Sequence, residues 1–474
     1  MSCFKWAAPA AQPLSVNAQP STVDRLAELI DRSRLPSVVD AAGAAHDGLF
    51  LIETIGAKRI WERKCFRTTG KNRMSRRPRI FDAHRIAVCL LFALLSACAP
   101  YQRIPVNGYL ANKPISTTVD SQLAAEYLQE FSSGNTTSPR LDSSIVDIQQ
   151  RFDRLPLTSS VLRELSKQTS PDFATLFFIQ KSLADRANAE FQTRYVKEVT
   201  RIKTNIGRGR WTALAPNGFR DYKFLFVPGF HYVTDPGSGA AFTYQRDWMR
   251  KLGFNVELIR TNEDGTIQEN ANLIAQAVRQ ESKPGAKLIL VSTSKGGPET
   301  VLALGEILRP AETAAVKGWI TVGGLIRGTL LADWATEWPQ SWFVRAMFSE
   351  QGIDSRSLPG LTARASGKRF DEIVVPRHIL IIEYIAAPLS GDIASDVKTR
   401  YRLLRKYGPN DGLTLLGDEL LAGGITIIEP GLDHFYRDPD INEKSLALAN
   451  IVVDKLRRGA FSAAVVGPPS AVHR

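Results

Sequence analysis

The stretch Leu288-Ile289-Leu290-Val291-Ser292-Thr293-Ser294-Lys295-Gly296-Gly297-Pro298 constrains the fold more than any other part of the 474-residue chain. Four consecutive apolar residues bounded by turn formers predict a strand buried on both faces. Glu299 to Leu304 then opens a helical pattern. Strand, small-residue turn and helix leave room only for a sharp reversal with Ser294 at its tip. Such a turn strains the backbone and lifts the hydroxyl above the sheet. The residues two before and two after the tip nearly touch, so both must be small; here they are Ser292 and Gly296.

From residue 222 onward the same rhythm repeats. Apolar runs at 224–227, 256–259, 288–291, 319–322, 379–382 and 425–428 alternate with helical patterns near 240–252, 266–281, 298–308 and 443–457. Continuous apolar strands alternating with helices predict an α/β domain whose mostly parallel sheet is covered by helices on both faces.

The turn resembles the G-x-S-x-G nucleophile elbow of the α/β-hydrolase superfamily, the serine esterases and lipases, with Ser292 where glycine is usual. The six strands match the later strands of that core, and the resemblance covers about residues 222–458. It implies a serine nucleophile, an acid and a histidine in that chain order. A serine hydroxyl needs a base to take its proton. Of the six histidines, His46 and His84 fall early in the chain and His473 in the terminal tail. His378 precedes a strand, at the wrong end of a parallel sheet, and His231 follows the first strand. His434 follows the last strand and is the candidate base. The acid then lies between 294 and 434. Asp411, in the turn Gly408-Pro409-Asn410-Asp411-Gly412, is preferred, with Asp392 and Asp396 as alternatives.

The resemblance also implies an oxyanion hole of two backbone N–H groups. One belongs to Lys295, after the nucleophile. The other belongs to Phe230, in the loop Pro228-Gly229-Phe230-His231-Tyr232. An insertion at about 325–375 reads as a cap. Trp334, Trp338 and Trp342 recur there at helical spacing and form one apolar stripe, a possible lid, although Pro339 interrupts the pattern.

The beginning of the chain reads differently. A basic segment from Met74 precedes a ten-residue apolar run, Ile86 to Leu95, closed by Ser96-Ala97-Cys98. That is the anatomy of a signal peptide; a bilayer-spanning helix needs about 20 apolar residues. Leu95-Ser96-Ala97-Cys98 resembles the bacterial lipobox, which implies that Cys98 is acylated and becomes the mature N-terminus. Ala99 in place of an aspartate implies the outer membrane, facing the periplasm. Translation is accordingly expected to start at Met74. The expected organisation is an extension at 1–73, a lipoprotein signal at 74–97 and a tether at 98–117. A helical segment at 118–221, the hydrolase domain at 222–460 and a tail at 461–474 complete it.

The net charge of +12 suggests nucleic acid, but its distribution argues otherwise. Residues 1–97 carry 15 Lys and Arg against 8 Asp and Glu, leaving 45 against 40 for the rest. No basic block with interleaved aromatics occurs there, so nucleic acid is set aside. All four cysteines precede residue 99, which rules out an internal disulfide or thiolate metal site in the later domain. No metal and no cofactor are expected. The expected function is a lipid-anchored esterase acting on acyl esters or lipids. An acyltransferase using the same residues and a non-catalytic surface lipoprotein are the rivals.

Overall fold

The computed structural model describes residues 102–133, 139–338, 340–342, 344–345 and 355–459. The expected extension, signal segment, Cys98 and tail lie outside the described residues.

Within the span expected as a tether, the described residues form a hairpin. Strands β1 (Ile104–Leu110) and β2 (Lys113–Val119) form an antiparallel hairpin in register, Leu110 opposite Lys113. Its two turn residues, Ala111 and Asn112, both have positive φ, 49° and 64°. That is the backbone a two-residue hairpin needs to match strand twist, and glycine is its usual sequence marker. Here no glycine announced it. Val106, Leu110 and Val119 are buried, so burial rather than chain composition orders this segment.

Five helices follow: α1 (Gln122–Ser133), α2 (Pro139–Phe152), α3 (Ser159–Gln168), α4 (Pro171–Ala184) and α5 (Arg186–Gly207). The helical run from Pro171 to Gly207 is broken at Asp185. That residue is extended (φ −68°, ψ 130°), and its side chain accepts the N–H groups of Ala187 and Asn188, capping α5.

The main sheet contains β3 (Lys223–Val227), β4 (Asn255–Leu258), β5 (Leu288–Thr293), β6 (Val316–Val322), β7 (Leu380–Ala387) and β8 (Ile425–Pro430). All six are parallel, in the order β4-β3-β5-β6-β7-β8. Alternate residues face opposite layers. Phe224 and Phe226 join one core with Met249 and Leu446, while Leu225 and Val227 join the other with Ile274 and Val301. Helices α5, α6 (Thr243–Lys251) and α12 (Ile441–Arg457) cover the first face; α7 (Ile267–Glu281), α8 (Gly296–Leu302) and α10 (Ala363–Glu372) cover the second, and α11 (Lys398–Arg405) follows β7. The expected 298–308 helix stays α-helical only to Leu302 and continues as a π-turn, Ala303–Ile307.

β8 is an edge strand, and α5 closes it. The Gln192 side chain accepts the Ile428 N–H at 2.9 Å and donates to its carbonyl at 3.0 Å. Asn188 Oδ1 takes the Thr426 N–H at 2.8 Å. Side-chain amides therefore substitute for a missing neighbour strand, removing a site of intermolecular pairing. The same region shares a core with the hairpin and α1 to α4 through Ile385 and Ile428.

In the expected cap, α9 (Leu330–Thr336) ends two residues before Trp338. Glu337 is extended (φ −79°, ψ 146°), which ends the helix there. The three tryptophans therefore form no single stripe: Trp334 packs with Ala335 and Leu403, whereas Trp338 and Trp342 are 80% and 68% exposed.

Glu383, on β7, is buried and accepts bonds from the Leu421 N–H and the Thr426 hydroxyl. Burial pushes its carboxyl from the usual 4.5 up to about 7. The folded protein thus holds a proton that the unfolded chain releases, so this group's contribution to stability is fully present below about pH 4.5 and is lost as pH rises through about 7. Glu383→Gln should keep the bonds and flatten this decline. Unfolding midpoints between pH 5 and pH 8 check it; an unchanged slope in the variant refutes the assignment.

Candidate active site

The strand β5 ends at Thr293 and α8 begins at Gly296, so two residues make the reversal. Ser294 takes a left-handed backbone, φ 51°, a strained conformation for a residue with a Cβ. Gly296 must be glycine: a Cβ there would lie 2.8 Å from the Pro228 carbonyl oxygen. Ser292 is fully buried, and its hydroxyl accepts the Trp319 indole N–H at 2.9 Å. The departure from glycine at this position therefore satisfies a buried tryptophan on the neighbouring strand.

Loops after three strands converge on Ser294. Its Oγ lies 3.2 Å from His434 Nε2, and His434 Nδ1 lies 2.5 Å from Asp411 Oδ2. The other Asp411 oxygen accepts the N–H groups of Leu413 and Thr414, both at 2.8 Å. The His434 N–H in turn donates to the Asp411 carbonyl at 2.9 Å. This network assigns the imidazole proton to Nδ1 and leaves Nε2 to accept from the serine. Asp411 is fully buried and His434 nearly so. The alternative acids are occupied elsewhere: Asp392 accepts the Leu389 N–H, and Asp396 pairs with Arg437. His378 bonds the Thr313 carbonyl, at the other end of the sheet.

The loop after β3 approaches from the other side. A Cβ on Gly229 would lie 3.3 Å from that of Ser294, so glycine permits the loop to close over the turn. Among the described residues, neither the Phe230 nor the Lys295 N–H donates to another backbone carbonyl. His231 is left-handed (φ 53°) and buried; its Nδ1 meets Thr234 Oγ1 at 3.0 Å.

A cavity of about 380 Å³ opens over the serine, bounded by Phe230, His231, Phe242, Val322, Tyr384 and Leu448 among others. Trp334, Trp338 and Trp342 are not among the residues that bound it. Four left-handed non-glycine residues (His231, Phe242, Ser294 and Tyr436) border the cavity. Strain is thus concentrated here.

Several contributors lacked a sequence signal. Gly323, at φ 53°, leaves room for the imidazole; a Cβ would lie 3.4 Å from it. The Tyr436 hydroxyl donates to the Tyr384 carbonyl at 2.6 Å and accepts the Ala386 N–H at 2.9 Å, tying the His434 loop to β7. Glu419 is buried near Asp411 without a hydrogen-bond partner among the described residues. Burial, reinforced by Asp411, holds its carboxyl well above the ordinary range. Among the described residues, no group of His, Cys, Asp and Glu is arranged to hold a metal ion.

No protein-family model matches the chain, and no curated protein matches it. Several solved structures are similar in backbone course. A metagenomic carboxyl esterase is 20% identical, with a TM-score of 0.42 over 51% of this chain and 77% of that one. The mature lipase of Bacillus licheniformis is 22% identical, with a TM-score of 0.38 over 50% of this chain and 90% of that one. Lipase 1 from Pelosinus fermentans is 12% identical, with a TM-score of 0.36 over 50% and 98%. The strand order, the serine turn after β5 and the Asp and His loops beyond β7 and β8 together make this an α/β-hydrolase fold.

Replacing Ser292 by glycine restores the usual pattern yet strands the Trp319 N–H. The variant should lose about 1–3 kcal/mol of stability, the cost of an unsatisfied buried donor. Denaturant titration measures it; an equally stable variant shows that the bond contributes nothing.

Proposed function

We propose that the chain is a lipid-anchored serine hydrolase cleaving carboxylic esters. The observation that carries this reading is the 3.2 Å approach of Ser294 Oγ to His434 Nε2 at a left-handed turn, with Asp411 behind the imidazole. As Oγ attacks the ester carbonyl carbon, Nε2 takes the hydroxyl proton. The carbonyl oxygen becomes an anion, which the Phe230 and Lys295 N–H groups stabilise. The intermediate collapses by breaking its bond to the alcohol oxygen, which leaves with the proton from Nε2. The acyl group remains on Ser294. Water then attacks that carbon as Nε2 takes its proton, and the carboxylic acid departs with the serine restored. Asp411 keeps the imidazole in the working tautomer and stabilises its positive form.

The apolar part of the cavity wall, including Phe230, Phe242, Val322 and Leu448, supports an acyl chain as the group bound beside Ser294. Acylation of Cys98, directly after the short apolar run, is the anchor in this reading. Several buried acyl chains at ~0.8 kcal/mol per CH₂ make it stable. The envelope location, at the outer membrane, belongs to the same proposal.

A fluorophosphonate probe should label the wild type and leave Ser294→Ala unlabelled. Ester hydrolysis by Ser294→Ala should fall by about 10⁴-fold or more; equal labelling of both proteins sinks the assignment. In fractionated cells, Cys98→Ser should move from membranes to the soluble fraction. A variant that stays with the membranes removes the anchor from the proposal.

A further inference from the structure

Beside the Ser294 turn lies a polar network that the proton-transfer residues do not use. Lys295 is almost completely buried, and its ammonium donates to the Glu263 carbonyl oxygen at 2.9 Å. It also lies 3.5 Å from Glu299 Oε1 and 5.4 Å from the centre of the Phe230 ring. Glu299 accepts the Asn270 side-chain N–H at 2.7 Å. Asn270 takes the Asn262 N–H at 2.9 Å and returns a bond to its carbonyl at 2.8 Å. The 262–263 loop is therefore held on one side by the residue after the nucleophile.

The other side of the same loop holds the segment carrying Phe230. Glu263 Oε2 accepts the N–H groups of Val233 and Thr234 at 2.8 and 3.0 Å. The Tyr232 hydroxyl donates to the Thr261 carbonyl at 2.7 Å. One residue, Glu263, thus grips the first loop with its carboxyl group and is gripped through its carbonyl by Lys295. A buried ammonium is expensive unless well partnered. A packing role at this position would need only an apolar side chain.

We propose that Glu263 is a positioning residue: bridged by the Lys295 ammonium, it fixes the spacing between the Phe230 N–H and the Lys295 N–H. This rests on the reading of those two groups as the oxyanion donors. Donors that act on developing charge gain little in the ground state, so misplacing them lowers the rate more than it weakens substrate binding.

The test uses the full chain, a p-nitrophenyl ester and a boronic acid as tetrahedral analogue. Glu263→Ala should lower kcat by roughly 10- to 100-fold, the scale of an ångström-sized misplacement, with KM within about twofold. Analogue affinity should fall in parallel with kcat. Glu263→Gln, which still offers an oxygen to both N–H groups, should recover most of the loss. Lys295→Met keeps its backbone donor and should act in the same direction. In the Glu263→Ala background it should add little, as expected for one linked device. Folded Glu263→Ala with wild-type kcat and analogue affinity overturns the proposal, even if its melting temperature drops. Should Glu263→Ala not fold, an unchanged kcat in Lys295→Met overturns it equally. Failure of the wild type to take the fluorophosphonate overturns the enzyme reading as well, whereas a labelled wild type with unchanged variants overturns this inference alone.

Discussion

The left-handed backbone of Ser294 is the constraint on which the rest of the site depends. It persists because β5 is anchored in both cores and α8 in the second, on either side of a two-residue reversal. The reversal closes only because Gly296 lies against the Pro228 carbonyl and Gly229 against the Ser294 Cβ. Local strain of this kind survives when the surroundings over-determine it. A buried sheet built from β3 to β8 supplies that rigidity, and loops at its carboxyl edge can then be aimed at one hydroxyl.

The N-terminal segment packs against the same sheet. Glu429, at the end of β8, accepts the Tyr195 and Tyr384 hydroxyls, both at 2.8 Å, and the Lys444 ammonium at 2.8 Å. Lys113, from the hairpin, pairs with the same carboxyl group. Burial pushes Glu429 up, but the two ammonium groups outweigh it and hold its carboxyl below the ordinary range. A buried carboxylate with two cations and two hydroxyls is satisfied on every side, as a buried charge requires. Hairpin, α5, β7, β8 and α12 meet at this one group, five residues before His434. The segment's contribution is to hold the platform from which the histidine loop springs.

Much of the fold was legible because hydrophobic burial leaves a periodic trace. Six apolar runs marked six strands, and the order expected of Ser294, Asp411 and His434 came from the resemblance to the nucleophile elbow of α/β-hydrolases. Elements decided by context left no such trace. The hairpin at 104–119 lacks a glycine turn, and Asp185 splits a continuous helical pattern through one capping side chain. The tryptophan spacing misled for a related reason: helical spacing implies a common face only while the helix continues, and α9 stops at Thr336.

What the sequence alone determined was the sheet, its layering and which loops could face the serine, since period, run length and glycine placement act locally. Tertiary structure decided everything that depends on contacts between distant residues. It set Trp319 against Ser292, Gly323 beneath the imidazole, Gln192 along the edge of β8, and Glu263 between the loop of Phe230 and Lys295. Hydrogen-bond geometry is specific to a few tenths of an ångström, and no local pattern encodes a distance between residues tens to hundreds of positions apart.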